Sequence, residues 1–126
     1  MREADVRDWL LALPEAVEDY PFGPDAAVFK VAGRMFALLY HQAGALRLNL
    51  KCEPEQAQML RDVFSEVRPG YHMNKRHWNT LALDGQLPAG EIRRQIEHSY
   101  ARVVACLPRA VRNGLQARHG DALPRG

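Results

Sequence analysis

Hydrophobic positions change their period several times along this chain, and each change marks an element. Val6, Trp9, Leu10 and Leu13 fall at i, i+3, i+4 and i+7, the spacing that lines one stripe of a helix, and Pro14 ends it. "YPFGPD", residues 20–25, holds two prolines and a glycine and predicts a loop. Residues 26–32 and 34–40 are rich in Val, Phe, Leu and Tyr on either side of Gly33, the composition of a hairpin with a tight glycine turn. "LRLNLK", residues 46–51, alternates strictly, so a strand here turns Leu46, Leu48 and Leu50 inward and Arg47, Asn49 and Lys51 to solvent. Gly44 supplies the turn before it, which makes these three strands an antiparallel meander.

A second helix begins in "CEPEQAQMLRDVF", with Pro54 in the first turn and Glu53 and Glu55 placed well against the helix dipole. Met59, Leu60, Val63 and Phe64 are its expected apolar stripe. Pro69-Gly70 breaks that pattern, and "GYHMNKRHWNTLAL", residues 70–83, reads as a return to extended chain ended by Asp84-Gly85. With Leu81 and Leu83 inward, period two puts Arg76, Trp78, Thr80 and Ala82 on the other face. After Pro88, Ile92, Ile96, Tyr100, Val103, Val104 and Leu107 recur at spacings of three and four, predicting a long helix that Pro108 stops. A short helix is expected over residues 110–117, and residues 118–126 read as a frayed tail behind a single domain of residues 1–117. The fold class is α+β in two layers, an antiparallel sheet of about five strands with helices on one face, in the order α-β-β-β-α-β-β-α(-α).

Composition fits this picture: 126 residues, 47% hydrophobic and 25% charged, suffice to bury roughly 65–70% of the unfolded surface in one core. The longest apolar stretches, such as residues 35–40, are too short to cross a bilayer, and "MREADVRDWL" carries acids where a secretory signal needs an apolar run; no membrane role and a cytoplasmic location are expected. Cys52 and Cys106 lack a CxxC partner and suit reduced thiols. Net charge is only +2, but its distribution is uneven. Residues 1–29 set two arginines against seven acids, whereas residues 30–52 hold Lys30, Arg34, Arg47 and Lys51 with no acid, and residues 67–83 hold Arg68, Lys75 and Arg76 with none. The acid-free stretches are the expected strands, the pattern of a basic sheet face.

Several stretches, "FGPDAAVFKVAGRMFALL", "LNLKCEPEQAQMLRD", "PGYHMNKRHWNTLAL" and "IEHSYARVVACLP", resemble in wording, spacing and order the MmcQ/YjbR-like family of small bacterial proteins, over about residues 3–115. The resemblance implies a compact α+β domain similar to frataxin-like and secretion-chaperone shapes. It also implies DNA binding, which is described for the family through a double-wing arrangement of strands.

Phosphate attraction needs clustered Lys and Arg away from acids, and base stacking needs an exposed aromatic. Lys30, Arg47, Asn49, Lys51, Lys75, Arg76, His77, Trp78 and Asn79 are the candidate nucleic-acid-binding residues, with low sequence preference because no recognition helix or zinc-finger spacing is present. The bland reading stands beside this one: a strand Trp is often buried packing, and basic residues on a sheet discourage edge association. A catalytic set is not expected, since alternation puts His72 and His77 on opposite faces, which also argues against a shared metal. No cofactor is called for. The frataxin-like shape that the resemblance implies invites a cation-binding ridge of Glu3, Asp5, Asp8, Glu15, Glu18 and Asp19, but these acids form no tight cluster and a solvated helix face explains them. The rival to nucleic acid is a protein partner: an adaptor or chaperone-like homodimer with Trp78, Tyr71 and Tyr100 as anchors.

Overall fold

The computed structural model describes residues 2–125. Helix α1 (Glu3–Leu11) leads into six strands, β1 (Val17–Asp19), β2 (Ala26–Val31), β3 (Arg34–Gln42), β4 (Ala45–Lys51), β5 (Val67–Pro69) and β6 (Trp78–Ala82). Helix α2 (Pro54–Val63) separates β4 from β5. Helices α3 (Ala89–Ala105) and α4 (Arg109–His119) and a 3-10 turn at Gly120–Ala122 complete the chain. The sheet is antiparallel throughout, in the order β1-β2-β3-β4-β6-β5. The expected two-layer α+β architecture is present, with one strand more than expected before α2: the three-residue β1, which carries no hydrophobic alternation of its own.

The β2-β3 and β3-β4 hairpins use the same two-residue solution. Ala32-Gly33 and Ala43-Gly44 both take positive φ, +51° then +77°, the pair of left-handed residues that matches strand twist. Register then settles which side chains share a face. Ala27, Leu39, Leu48, Leu81 and Val67 form one cross-strand row toward the helices, and Phe29, Ala37 and Leu50 form the next. A bulge between Phe29 and Lys30 lets Phe36 and Ala37, neighbours in sequence, both face the core. Against this face pack Val6 and Leu10 of α1, Ala57 and Leu60 of α2, Ile92, Ile96, Tyr100 and Val103 of α3, and Leu115 of α4, all buried in one cluster. Each fully buried Leu, Ile or Phe contributes about 1.5–3 kcal/mol. All four helices therefore lie behind the sheet, and its other face is left to the loops.

Two polar residues of α3 finish the sheet end. Ser99, fully buried, donates to the Phe36 carbonyl at 2.6 Å and accepts the Lys51 N–H at 2.8 Å, bridging β3 and β4 where their own ladder has parted. His98 accepts the Glu53 N–H through Nε2 at 3.3 Å. Tyr100 stands edge-on to Phe36 and donates to the Pro14 carbonyl at 2.7 Å; burial pushes its phenol up to about 12. With no exposed surface, Tyr100 is not the interface anchor suggested by its type.

Two expectations differ from the structure. In α2 the buried residues are Ala57 and Leu60, while Met59 and Val63 are exposed, because this short helix rests on β5 through a narrow stripe. The C-terminal segment is not frayed: α4 runs to His119, and Leu123 packs against the core. Glu15, left-handed at φ +58°, fastens it, accepting from Arg118 at 2.6 and 3.2 Å and pairing with His119 Nε2 at 2.7 Å. The Arg118 hydrogen bonds, followed by that of His119, hold the Glu15 carboxyl below the usual glutamate range. A depressed native pKa means that this staple is fully stabilising above the ordinary glutamate range and is lost as pH falls through the native value. Amide exchange along α4, corrected for its intrinsic pH dependence, is expected to accelerate on that acid limb. Glu15→Gln should remove the step; an α4 indifferent to both changes would refute the staple.

Candidate nucleic-acid interface

The face away from the helices carries Met35, Leu38 and Tyr40 from β3, Arg47, Asn49 and Lys51 from β4, Trp78, Thr80 and Ala82 from β6, and Arg68 from β5. Alternation on β4 thus works as the sequence predicts. Residues 70–77 do not extend β6; they fold as turns back across this face, and strand structure starts only at Trp78. Gly70 begins the crossing, donating its N–H to the Trp78 carbonyl at 2.9 Å. A Cβ there would lie 2.7 Å from the Trp78 Cβ and 2.9 Å from its oxygen, so only glycine permits this approach. The Tyr71 N–H then bonds Thr80 Oγ1 at 2.8 Å, and Asn49 Nδ2 donates to the Tyr71 carbonyl at 3.1 Å.

This crossing changes what two candidate residues do. Asn49 is fully buried: its Oδ1 accepts from Thr80 Oγ1 at 2.7 Å and from the Tyr40 hydroxyl at 2.9 Å, while its amide holds the loop. Asn79 points to the helix side and is 1% exposed, accepting Arg61 Nε at 2.7 Å and donating to the Ala57 carbonyl at 3.4 Å. Neither amide reaches a ligand. Both are scaffold, because period two puts Asn79 among the core residues and the loop seals Asn49 from above. Arg61 belongs to the same scaffold, since its guanidinium also reaches the carbonyls of Lys75 and Trp78 and ties the loop to α2.

The other candidates separate into an assembled group and outliers. Arg47 and Lys51 are half-buried on the open face, Lys51 directly across from Trp78, itself half-buried rather than an open indole. Lys75 and Arg76 are exposed on the loop, with Lys75 Nζ donating to the Gly70 carbonyl at 3.3 Å. Lys30 lies two strands away, ion-paired to Asp19 at 2.9 Å, its charge balanced locally. His77 is half-buried and one residue out of phase with Trp78; its backbone carbonyl accepts the Cys52 N–H at 2.8 Å. Arg68, not among the expected residues, joins the basic group because Arg68, Thr80 and Asn49 form one cross-strand row.

Most of what the structure adds is aromatic. Phe22 on the 20–25 loop, Tyr40 and Leu38 on β3, and Tyr71 and Met73 on the crossing loop surround a groove of about 460 Å³ on the open face. Phe22 and Tyr71 are 71% and 43% exposed. The Tyr40 and Tyr71 rings lie 21° from parallel with centroids 6.5 Å apart, and His72 packs against Tyr71 at 4.0 Å. Asp25 lines the groove from the Phe22 side. The signal for Phe22 was in the sequence: an aromatic inside a Pro/Gly loop has no strand or helix to carry it into a core.

The rest of the chain offers less chemistry. Cys52 is buried, and burial, reinforced by Glu53, pushes its thiol up to about 11; Cys106 is exposed, and the two are unpaired. The acids proposed as a cation ridge are dispersed into separate contacts: Glu3 and Glu18 with Arg7, Glu15 with Arg118, Asp19 with Lys30. Among the described residues no cluster of three metal-ligating side chains forms, and no helix is long and apolar enough to cross a membrane.

Known proteins share this fold. The YjbR family model matches residues 11–102. The uncharacterised Escherichia coli K12 protein YjbR is 34% identical over 108 residues, covering 86% of this chain and 92% of that one. The uncharacterised protein YbdF of E. coli O157:H7 is also 34% identical, over 75% of this chain and 77% of its own. Among solved structures, Deinococcus radiodurans DR2400 superposes with a TM-score of 0.82 at 37% identity, over 89% of this chain and 86% of that one. A Pseudomonas syringae protein gives 0.70 at 32%, over 79% and 96%. A family match over most of the chain, a relative covered over most of its length and a shared fold all lead to one assignment: the chain belongs to the YjbR family.

Proposed function

We propose that this protein binds nucleic acid, DNA in the first place, through the open face of its sheet and with little sequence preference. One observation carries the reading: Arg47, Lys51 and Arg68 lie on a face where the strands from β3 to β6 present no carboxylate, and Lys75 and Arg76 are exposed on the loop that follows β5. Clustered cations without interspersed acids attract phosphates and release their counterions on contact. Among the described residues this face forms an open groove rather than an enclosed pocket of convergent acid and base groups, which suits a binding role better than catalysis. The competing proposal, a protein-binding homodimer, retains Tyr71 and Trp78 but loses Tyr100 to the core.

Fluorescence-anisotropy titration against duplex and single-stranded oligonucleotides is expected to show affinity that falls steeply between low and physiological salt. Removing one phosphate contact by Arg47→Gln or Lys75→Gln should lower the salt slope by about one. Absence of binding at low salt, together with a concentration-dependent dimer in light scattering, would replace this reading with the homodimer.

A further inference from the structure

Resting on the nucleic-acid reading above, we infer that the groove between Phe22 and Tyr71 holds an unpaired base, making single strands rather than duplex the preferred ligand. Phe22, Tyr40 and Tyr71 give the groove planar walls, with Leu38 beside them, and its volume of about 460 Å³ lies in the range of small-molecule sites. The polar groups nearest its floor are already engaged, since Tyr40 and Thr80 hydrogen-bond to Asn49 and the Asn49 amide to the Tyr71 carbonyl. A ligand here is held by stacking more than by reading of its edge, which every base satisfies.

Charge selects this occupant over others that aromatic walls accept. Arg47 is the cross-strand partner of Tyr40, and Lys75 and Arg76 follow Tyr71 on the same loop. A cationic ligand, the usual guest of an aromatic cage, finds one carboxylate in the groove lining, Asp25, and a cation, Arg47, on the strand beside Tyr40. An apolar peptide leaves the cations unused. A base linked to phosphates uses both the aromatic walls and the positive side chains of the neighbouring strand and loop. Duplex DNA keeps its bases stacked on one another and offers only edges, and the four helices behind the sheet leave none to enter a major groove.

The decisive comparison uses three labelled probes of equal length in competition: oligothymidylate, an abasic strand with the same phosphates, and a duplex. Oligothymidylate is expected to bind at least tenfold more tightly than the abasic strand, with the duplex weaker too. Phe22→Ala and Tyr71→Ala, on separate loops and exposed enough to spare the fold, should each weaken oligothymidylate binding about five- to a hundredfold without changing the salt slope. Equal affinity for all three probes, untouched by either variant, overturns the base site while leaving phosphate binding in place. No affinity for any probe at low salt removes both.

Discussion

Replacing Asn49 by alanine is expected to destabilise the domain by about 2–4 kcal/mol, one of the two largest single-residue effects anticipated outside the apolar core. The side chain is fully buried on the face that a simple strand pattern assigns to solvent, and it makes three hydrogen bonds there. Truncation leaves the Tyr71 carbonyl without its donor and removes the acceptor shared by Tyr40 and Thr80, and buried groups left unpaired cost more than the bonds themselves contribute. Chemical denaturation of Asn49→Ala measures the loss. A double-mutant cycle with Tyr40→Phe should give a coupling of about 0.5–3 kcal/mol, because both residues belong to one network. A loss below half a kilocalorie would mean that the loop does not seat on the sheet.

Gly70→Ala is expected to be comparably severe, about 2–3 kcal/mol, for a steric rather than a polar reason. Its φ is not positive, so the glycine is required by space: a Cβ would stand 2.7 Å from that of Trp78 and 3.1 Å from that of Met73. Relief requires lifting the loop, which stretches the Gly70 N–H bond to the Trp78 carbonyl and the Tyr71 N–H bond to Thr80. Faster exchange of the Tyr71 amide should accompany the loss of stability, and the Tyr71 ring should leave the groove. Unchanged stability with an unchanged Tyr71 amide would show that the crossing has more room than these distances allow. Arg61 ties the same loop to α2 through the Lys75 carbonyl and holds β6 beside it through Asn79 Oδ1 and the Trp78 carbonyl, so the two variants act on one mechanical unit.

The site was only partly legible because strand periodicity says which face a side chain takes, never what covers it. Arg47 and Lys51 are where alternation puts them, and Asn79 is inward because Trp78 and Thr80 are outward. Asn49 obeys the same rule and is still buried, because a loop 22 residues further on closes over it. Treating residues 70–77 as strand hid that closure. The turn residues were in view, but "YHMNKRH" lacks proline and carries enough aromatic character to pass as extended chain. Tyr40 was assigned to a strand without a role, and its partnership with Tyr71 depends on contacts 31 residues apart.

Local pattern by itself determined the elements of this protein: the α1 and α3 stripes, the strict alternation of β4, the glycine turns, and with them the two-layer fold, since each depends on neighbours a few positions away. The groove, the buried amides and the grouping of Arg68 with Arg47 and Lys51 were decided only by tertiary structure. Those features arise where the 20–25 and 70–77 loops meet the same sheet face, and the energy that seats them comes from hydrogen bonds and close packing between residues distant in sequence, which no local period encodes.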